Sequence, residues 1–400
     1  MRWTWLGVGG ALLVACGTGE NGAEPYVVRD SAGIRVAEST APAWTPAEAW
    51  RLSAEPALTV GAVEGPAAQL LGRPVAVVLQ ADGGVVVADR DAGEIRWFDA
   101  AGAHLRTLGG RGSGPGEFSE LYDLFRVPGD LLVAADFAGR RLTVLTTAGE
   151  VARLLDVGQP PPTGRFPDGR WFQSVSLPPE GGVQLGAQRY GSALLAVNEG
   201  GGPPDTLAVL QGMDAMHVEM NFDGRVQVMG QPFPYGRFRM SELHEGTIWT
   251  SDGTAFALAQ LDPDGTVRSL VRRPGERRPV TEALRERYVA DRLAAAPEAA
   301  RPAVRQRMER LVFPDTMAAW QQMVVDAEGN AWARHHELPD DTVHTWSVFT
   351  PDGRWLGEVE TPADLAVMAI GHGRVAGIWR DDLDVPFVHV HTLDNHPETR

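Results

Sequence analysis

His335, His336, Asp340 and Asp341 fall within seven residues, and Asp381, Asp382 and Asp384 within four. Imidazole and carboxylate are ligand types for zinc and calcium. His335, His336, Asp340, Asp381 and Asp382 could therefore hold a Ca or Zn ion, provided folding brings the two clusters together. Such an ion would activate water or polarise a carbonyl while a nearby carboxylate moves protons. Turn formation and ion pairs with Arg380 account for the same residues without a metal. His389 and His391 lie two apart and share one face of a strand, but no third ligand accompanies them, so they read as a packed pair. A second set, Arg90, Arg140, Arg189, Tyr190, Tyr235, Arg237 and Arg380, would suit a peptide, glycan or acidic ligand. The glycine-rich run 110–116 lacks the lysine of a phosphate-binding loop, and no Gly-x-Ser-x-Gly elbow is present. No catalytic residue is assigned.

Composition narrows the partners. The 36 basic residues, all arginine, face 52 acids for a net charge of −16, which argues against broad nucleic-acid binding. The 46 Gly and 29 Pro point to many turns rather than long helices. One cysteine cannot form an internal disulfide, but its position matters. Arg2 and the apolar run 3–15 have the form of a secretory signal, too short to span a bilayer. The run ends Leu13-Val14-Ala15-Cys16, which resembles the lipobox of bacterial lipoproteins. That resemblance implies a signal peptide at 1–15, cleavage before Cys16 and acylation of Cys16. Residues 16–45 are then anchor and tether, the polar stretch 17–25 reaching about 15–18 Å as a random coil. Gly17, in place of the Asp that signals inner-membrane retention, implies an exported protein on the outer membrane where the host has one.

Repeated strands must position these residues. Residues 75–79, a turn at Asp82-Gly83-Gly84 and 85–88 read as strand, turn, strand; 94–98, Ala101-Gly102 and 104–108 repeat the pattern. Four-strand units follow at 121–157, 171–211, 237–272 and 318–360. The paired turn glycines lie 19, 20, 20, 19 and 24 residues apart. The third unit is read with turns at Gly181-Gly182 and 200–202, followed by a connector over 212–236. A sixth unit starting at 363 supplies three strands, and an upstream strand at 50–60 can complete it, closing a ring without free edges. Trp97, Trp249, Trp332, Trp346 and Trp379 fall inside strands, as expected of packing between units.

Val85-Val86-Val87-Ala88-Asp89, then Ile95-Arg96-Trp97-Phe98, then Gly112-Ser113-Gly114-Pro115-Gly116-Glu117-Phe118 resemble an NHL repeat, closely over 75–157 and more loosely to about 395. The resemblance implies a six-bladed β-propeller over 46–395, and places Asp89 and Asp136 where such repeats use an Asp to pin a turn. The expected fold is all-β: a six-bladed β-propeller closed by its N-terminal strand, with a helical insertion at 275–316 between blades four and five.

In that insertion Val280, Leu284, Tyr288 and Leu293 recur with helical period, as do Val304, Met308 and Leu311, and Thr281 is placed to cap the first helix. Residues 272–310 carry 11 arginines and 6 acids, a surface for lipid headgroups or an acidic protein, or else a solvated cap on the rim. The function expected is a lipid-anchored binding scaffold of the cell envelope, with an envelope protein, peptide or glycan as partner. The alternative is a metal-dependent hydrolase or lyase resembling propeller lactonases.

Overall fold

The computed structural model describes residues 24–158, 160–222 and 225–399. The predicted signal peptide and Cys16 lie outside them. Strands form six sheets. The innermost strands, Pro74–Leu79, Leu121–Val127, Gly164–Arg165, Met240–His244, Trp320–Val325 and Ala366–Gly371, neighbour one another in that order, and the last returns to the first. The fold is a β-propeller.

Burial explains the sequence pattern. Val85–Asp89 is buried at every position and Leu131–Asp136 at all but the first, because neighbouring sheets cover both faces. The outer strands His104–Gly109 and Val151–Asp156 alternate partly buried and exposed residues, since one face meets water. Trp249, Trp332 and Trp346 are almost fully buried and Trp97 nearly so, as expected of packing between sheets. Asp89 pins its loop from within: its carboxylate accepts from the backbone N–H groups of Gly72 (2.8 Å), Arg73 (3.0 Å) and Asp91 (3.1 Å). Asp136 does the same for Ser119, Glu120 and Gly139.

The ring closes as expected. In the last sheet Val388, His389 and Val390 pair with Val60, Thr59 and Leu58, and Leu393 pairs with Leu52. His389 stacks on Trp379 at 4.9 Å, and His391 Nδ1 lies 2.9 Å from the Ser53 carbonyl oxygen, so the two histidines are a packed pair.

Three segments differ from expectation. In the third sheet the innermost strand is the two-residue Gly164–Arg165, and the first turn is at Asp168-Gly169, where Gly169 has φ of +94°. Gly181 and Gly182 belong instead to the loop between its second and third strands. Two residues after a proline run offer no apolar alternation to read. The expected connector 212–236 is mostly strand: Asp205–Phe222 continues past Gly212 and pairs with Arg225–Pro232. Part of the expected tether, 16–45, is strand. Tyr26–Ser31 and Ile34–Ser39 form a hairpin whose second strand pairs parallel to Val267–Arg272, adding two strands outside the fourth sheet.

Between the fourth and fifth sheets lie α1 (Glu282–Ala295) and α2 (Arg301–Met308). The Thr281 hydroxyl accepts from Leu284 N at 3.3 Å. Val280, Leu284 and Met308 are buried, the first two in a cluster with Met317 edged by Tyr235, Phe313 and Leu338. Among the described residues, no helix is long and apolar enough to cross a membrane.

Candidate functional site

The loops between second and third strands open on the same end of the ring as the connectors between sheets. Two structures rise from this loop face: the hairpin of Asp205–Phe222 with Arg225–Pro232, and the helical insertion. Arg310 Nη1 joins them by donating to the Glu219 carbonyl oxygen (3.0 Å). Between them lies a cleft of about 170 Å³, lined in part by Asp214, Phe233, Arg237, Thr254, Arg277 and Thr316.

Of the predicted binding residues, the fold gathers those of the third and fourth sheets. Asp214 accepts from Arg189 Nε (2.7 Å) and from Arg237 Nε (3.0 Å). Arg237 and Arg239 also lie 3.8 and 3.9 Å from Asp252. Burial pushes Asp252 upward, but hydrogen bonds from Thr254 and the charges of Arg239 and Arg237 outweigh it, holding the carboxyl below the usual range. Tyr190 shares a 2.8 Å hydrogen bond with His217, while Tyr235 packs edge-on to Tyr288 and His336. Arg277, exposed on the cleft rim, has no carboxylate partner among the described residues. Arg90, Arg140 and Arg380 belong to other sheets: Arg90 pairs with Glu120, Arg140 turns its loop at φ of +52°, and Arg380 meets Asp384 at 3.4 Å.

The proposed metal ligands are not brought together. His335 Nε2 faces the Arg273 guanidinium at 2.9 Å, and burial, then the charges of Arg273 and Arg278, push its pKa down to about 3. Burial likewise lowers His336. Asp340 pairs with Arg287, and Asp341 with Arg278 at 2.9 Å. Asp381 accepts from Leu383 N and Val385 N at 2.9 Å, closing its own loop, and Asp382 is exposed. These acids tie down the insertion and the loops. Arg273 itself lies 4.5–5.6 Å from the rings of Phe256, Trp320 and Trp355 and reaches Glu358 at 3.1 Å.

Two other groupings carry ligand chemistry. Among the described residues, one trio has ligand atoms all within 4.8 Å of one another: Glu328, His372 and Glu398. Glu328 Oε1 accepts from His372 N (2.9 Å), while its Oε2 is buried without a hydrogen-bond partner. The trio lies at the turn end of the fifth and sixth sheets, away from the loop face, and its carboxylate–imidazole set suits zinc. The second grouping faces the central axis. Asp123 and Glu242 belong to innermost strands of the second and fourth sheets, yet the charge of Asp123 acts on Glu242, so both look into the channel. Glu242 keeps an accessible side chain while protein surrounds it, the condition of a group lining a narrow wet passage. Burial, then Asp123, pushes Glu242 up to about 8, and burial pushes Asp123 up to about 6. The signal for both was a lone acid inside an apolar inner strand, Leu121-Tyr122-Asp123-Leu124 and Met240-Ser241-Glu242-Leu243.

No family model and no curated protein matches the chain. Solved structures similar to it include a member of the DUF4221 family from Bacteroides vulgatus, at 10% identity over 86% of this chain and 98% of that one, TM-score 0.44. Virginiamycin B lyase from Staphylococcus aureus aligns at 8% identity over 84% and 98%, TM-score 0.36. The calcium-binding protein regucalcin from Agrobacterium tumefaciens aligns at 11% over 86% and 95%, TM-score 0.35. Likenesses this distant carry no argument about ligand or activity; the fold rests on the six sheets themselves.

Proposed function

We propose that the chain is an exported, lipid-anchored, six-bladed propeller of NHL type that binds a carboxylate-bearing envelope protein, peptide or glycan in the cleft of its loop face. One observation carries this reading: the two additions to an otherwise plain ring, hairpin and helices, rise from the same face and wall one cleft, where Arg237 and Arg277 stand beside Asp214 and Asp315. Guanidinium groups recognise carboxylates through paired N–H donors, and the free Arg277 beside Arg237 supplies them. The anchor rests on Leu13-Val14-Ala15-Cys16. Screening the chain from Gly17 against anionic glycans and peptides tests the cleft. Replacing Arg237 and Arg277 together with serine is expected to abolish the signal, and retained binding overturns the reading. Cys16→Ser is expected to move the protein from the membrane fraction to the soluble one.

A second reading is favoured by Asp123 and Glu242. A carboxyl held protonated at neutral pH opposite one that ionises earlier is the pairing general acid–base catalysis uses, so hydrolase or lyase chemistry would sit in the channel. Turnover abolished by Glu242→Gln but unaffected at Arg277 would favour this reading over the cleft.

A further inference from the structure

The fourth sheet shows which end of the propeller meets the membrane, an inference that rests on the anchored reading above. Strand Ile34–Ser39 runs parallel to Val267–Arg272 with Glu38 opposite Arg272, and Tyr26 lies opposite Ser39. Pro25 accepts a hydrogen bond from Thr40 N (2.8 Å), one step beyond that level. The chain therefore enters the fold at the end of the sheet from which, after Arg272, it leaves for the helical insertion. Pro25 is nine steps along the chain from Cys16, a span of about 30 Å at most when fully extended. The opposite end of a six-residue strand lies about 20 Å farther off. A bilayer holding Cys16 is thus nearest the insertion.

The insertion has the chemistry to meet it. Arg277, Arg292, Arg301 and Arg305 are exposed and have no carboxylate partner among the described residues. Arg301 and Arg305 lie one turn apart on α2. Beside them Val289, Ala290, Leu293, Leu311, Val312 and Phe313 line an open groove along α1, whose polar edge is Glu282, Arg285 and Glu286. Arginines flanking an apolar strip on a short helix are the composition of a surface that rests on anionic headgroups with its apolar side chains at the acyl boundary. Outside 272–310 the chain carries 25 arginines against 46 acids, so this segment is where attraction to anionic headgroups is concentrated.

We propose that α1, α2 and the 311–313 segment dock on an anionic lipid surface, holding the loop face and its cleft toward the bilayer. The ligand of the cleft would then be membrane-borne or lie just above the headgroups.

The test uses the unacylated chain from Gly17, which keeps every described residue, so it is independent of whether Cys16 is acylated. It is expected to sediment with phosphatidylcholine vesicles containing about one third phosphatidylglycerol, not with pure phosphatidylcholine, and to be released by high salt. Arg292→Glu, Arg301→Glu and Arg305→Glu together are expected to weaken vesicle binding by roughly tenfold or more. Hydrogen exchange on the unaltered chain is read alongside, with protection expected over 282–313 when anionic vesicles are added. Indifference to lipid charge overturns the proposal, as does full binding by the triple variant or protection confined to other segments. An acidic protein as the true occupant would appear as indifference to the vesicles. Failure of the anchor itself would show separately, as wild-type protein and Cys16→Ser fractionating alike.

Discussion

Glu242 and Arg273 show how differently this fold treats a charged group. Arg273 is enclosed by three aromatic rings and matched by Glu358, whereas Glu242, still accessible to water, is surrounded by protein with the like charge of Asp123 acting on it. A carboxyl whose pKa rises on folding binds its proton more tightly in the folded state. Stability is therefore lost as pH rises from the unfolded value of 4.5 towards about 8. Glu242→Gln, which cannot ionise, is expected to flatten that part of the profile and raise the unfolding midpoint above pH 8, as thermal scans across pH would show. An unchanged profile would mean that Glu242 is freely solvated. Arg273→Leu keeps the stem but strips the cation from its aromatic box. Because Glu358 is 41% exposed and can return to water, the cost should be about 2 kcal/mol in urea unfolding, below the ~3–5 kcal/mol of a fully buried pair. For the Glu328, His372 and Glu398 trio, zinc retained after dialysis and lost in His372→Ala would establish a bound ion.

At the level of strands and turns, reading glycine pairs succeeded where each pair closes a hairpin and misled where a loop glycine fell at the same interval. Gly265 and Gly182 are both at positive φ, +87° and +84°, but a Cβ on Gly265 would meet the Leu207 carbonyl oxygen at 2.0 Å while one on Gly182 meets nothing within 4 Å. Gly265→Ala should therefore cost about 2–4 kcal/mol and Gly182→Ala only about 1 kcal/mol, measured by denaturant midpoint. Equal costs would contradict the turn assignment. Closure has its own test. Trp50, 7% exposed, packs on Trp44 (4.7 Å) and Trp332 (5.8 Å) where the N-terminal strand joins the last sheet. Trp50→Ala should cost about 3–5 kcal/mol. The closing strand was legible because Trp50 and the apolar run after it had no partner nearby in sequence. The hairpin at 26–39 was not, because Val27 and Val28 remain exposed and its register is set by pairing with Val267–Arg272, far along the chain. The metal set failed for a similar reason: proximity of His335, Asp340 and Asp341 was foreseeable, but their capture by Arg273, Arg287 and Arg278 depends on how the insertion folds back.

Taken as a whole, the molecule is a closed ring with its ornament at one end. The loop face carries the cleft, the hairpin and the arginine-rich helices, and the chain arrives at that same end from its proposed anchor. The Arg189–Asp214–Arg237 junction and the tie from Arg310 to the hairpin link the parts of the cleft wall, and Arg277 stands exposed on its rim. The opposite end has turn glycines and the Glu328, His372 and Glu398 trio. A partner is therefore expected to touch the ring at its loop face. Photo-crosslinking in the intact envelope decides it, with a benzophenone side chain placed in turn at Arg277 on the cleft rim and at Asp130 in a turn of the far end. A discrete adduct from position 277, absent from position 130 and lost when Arg237 is replaced by serine, is the predicted result. An adduct formed at 130 and not at 277 would contradict it.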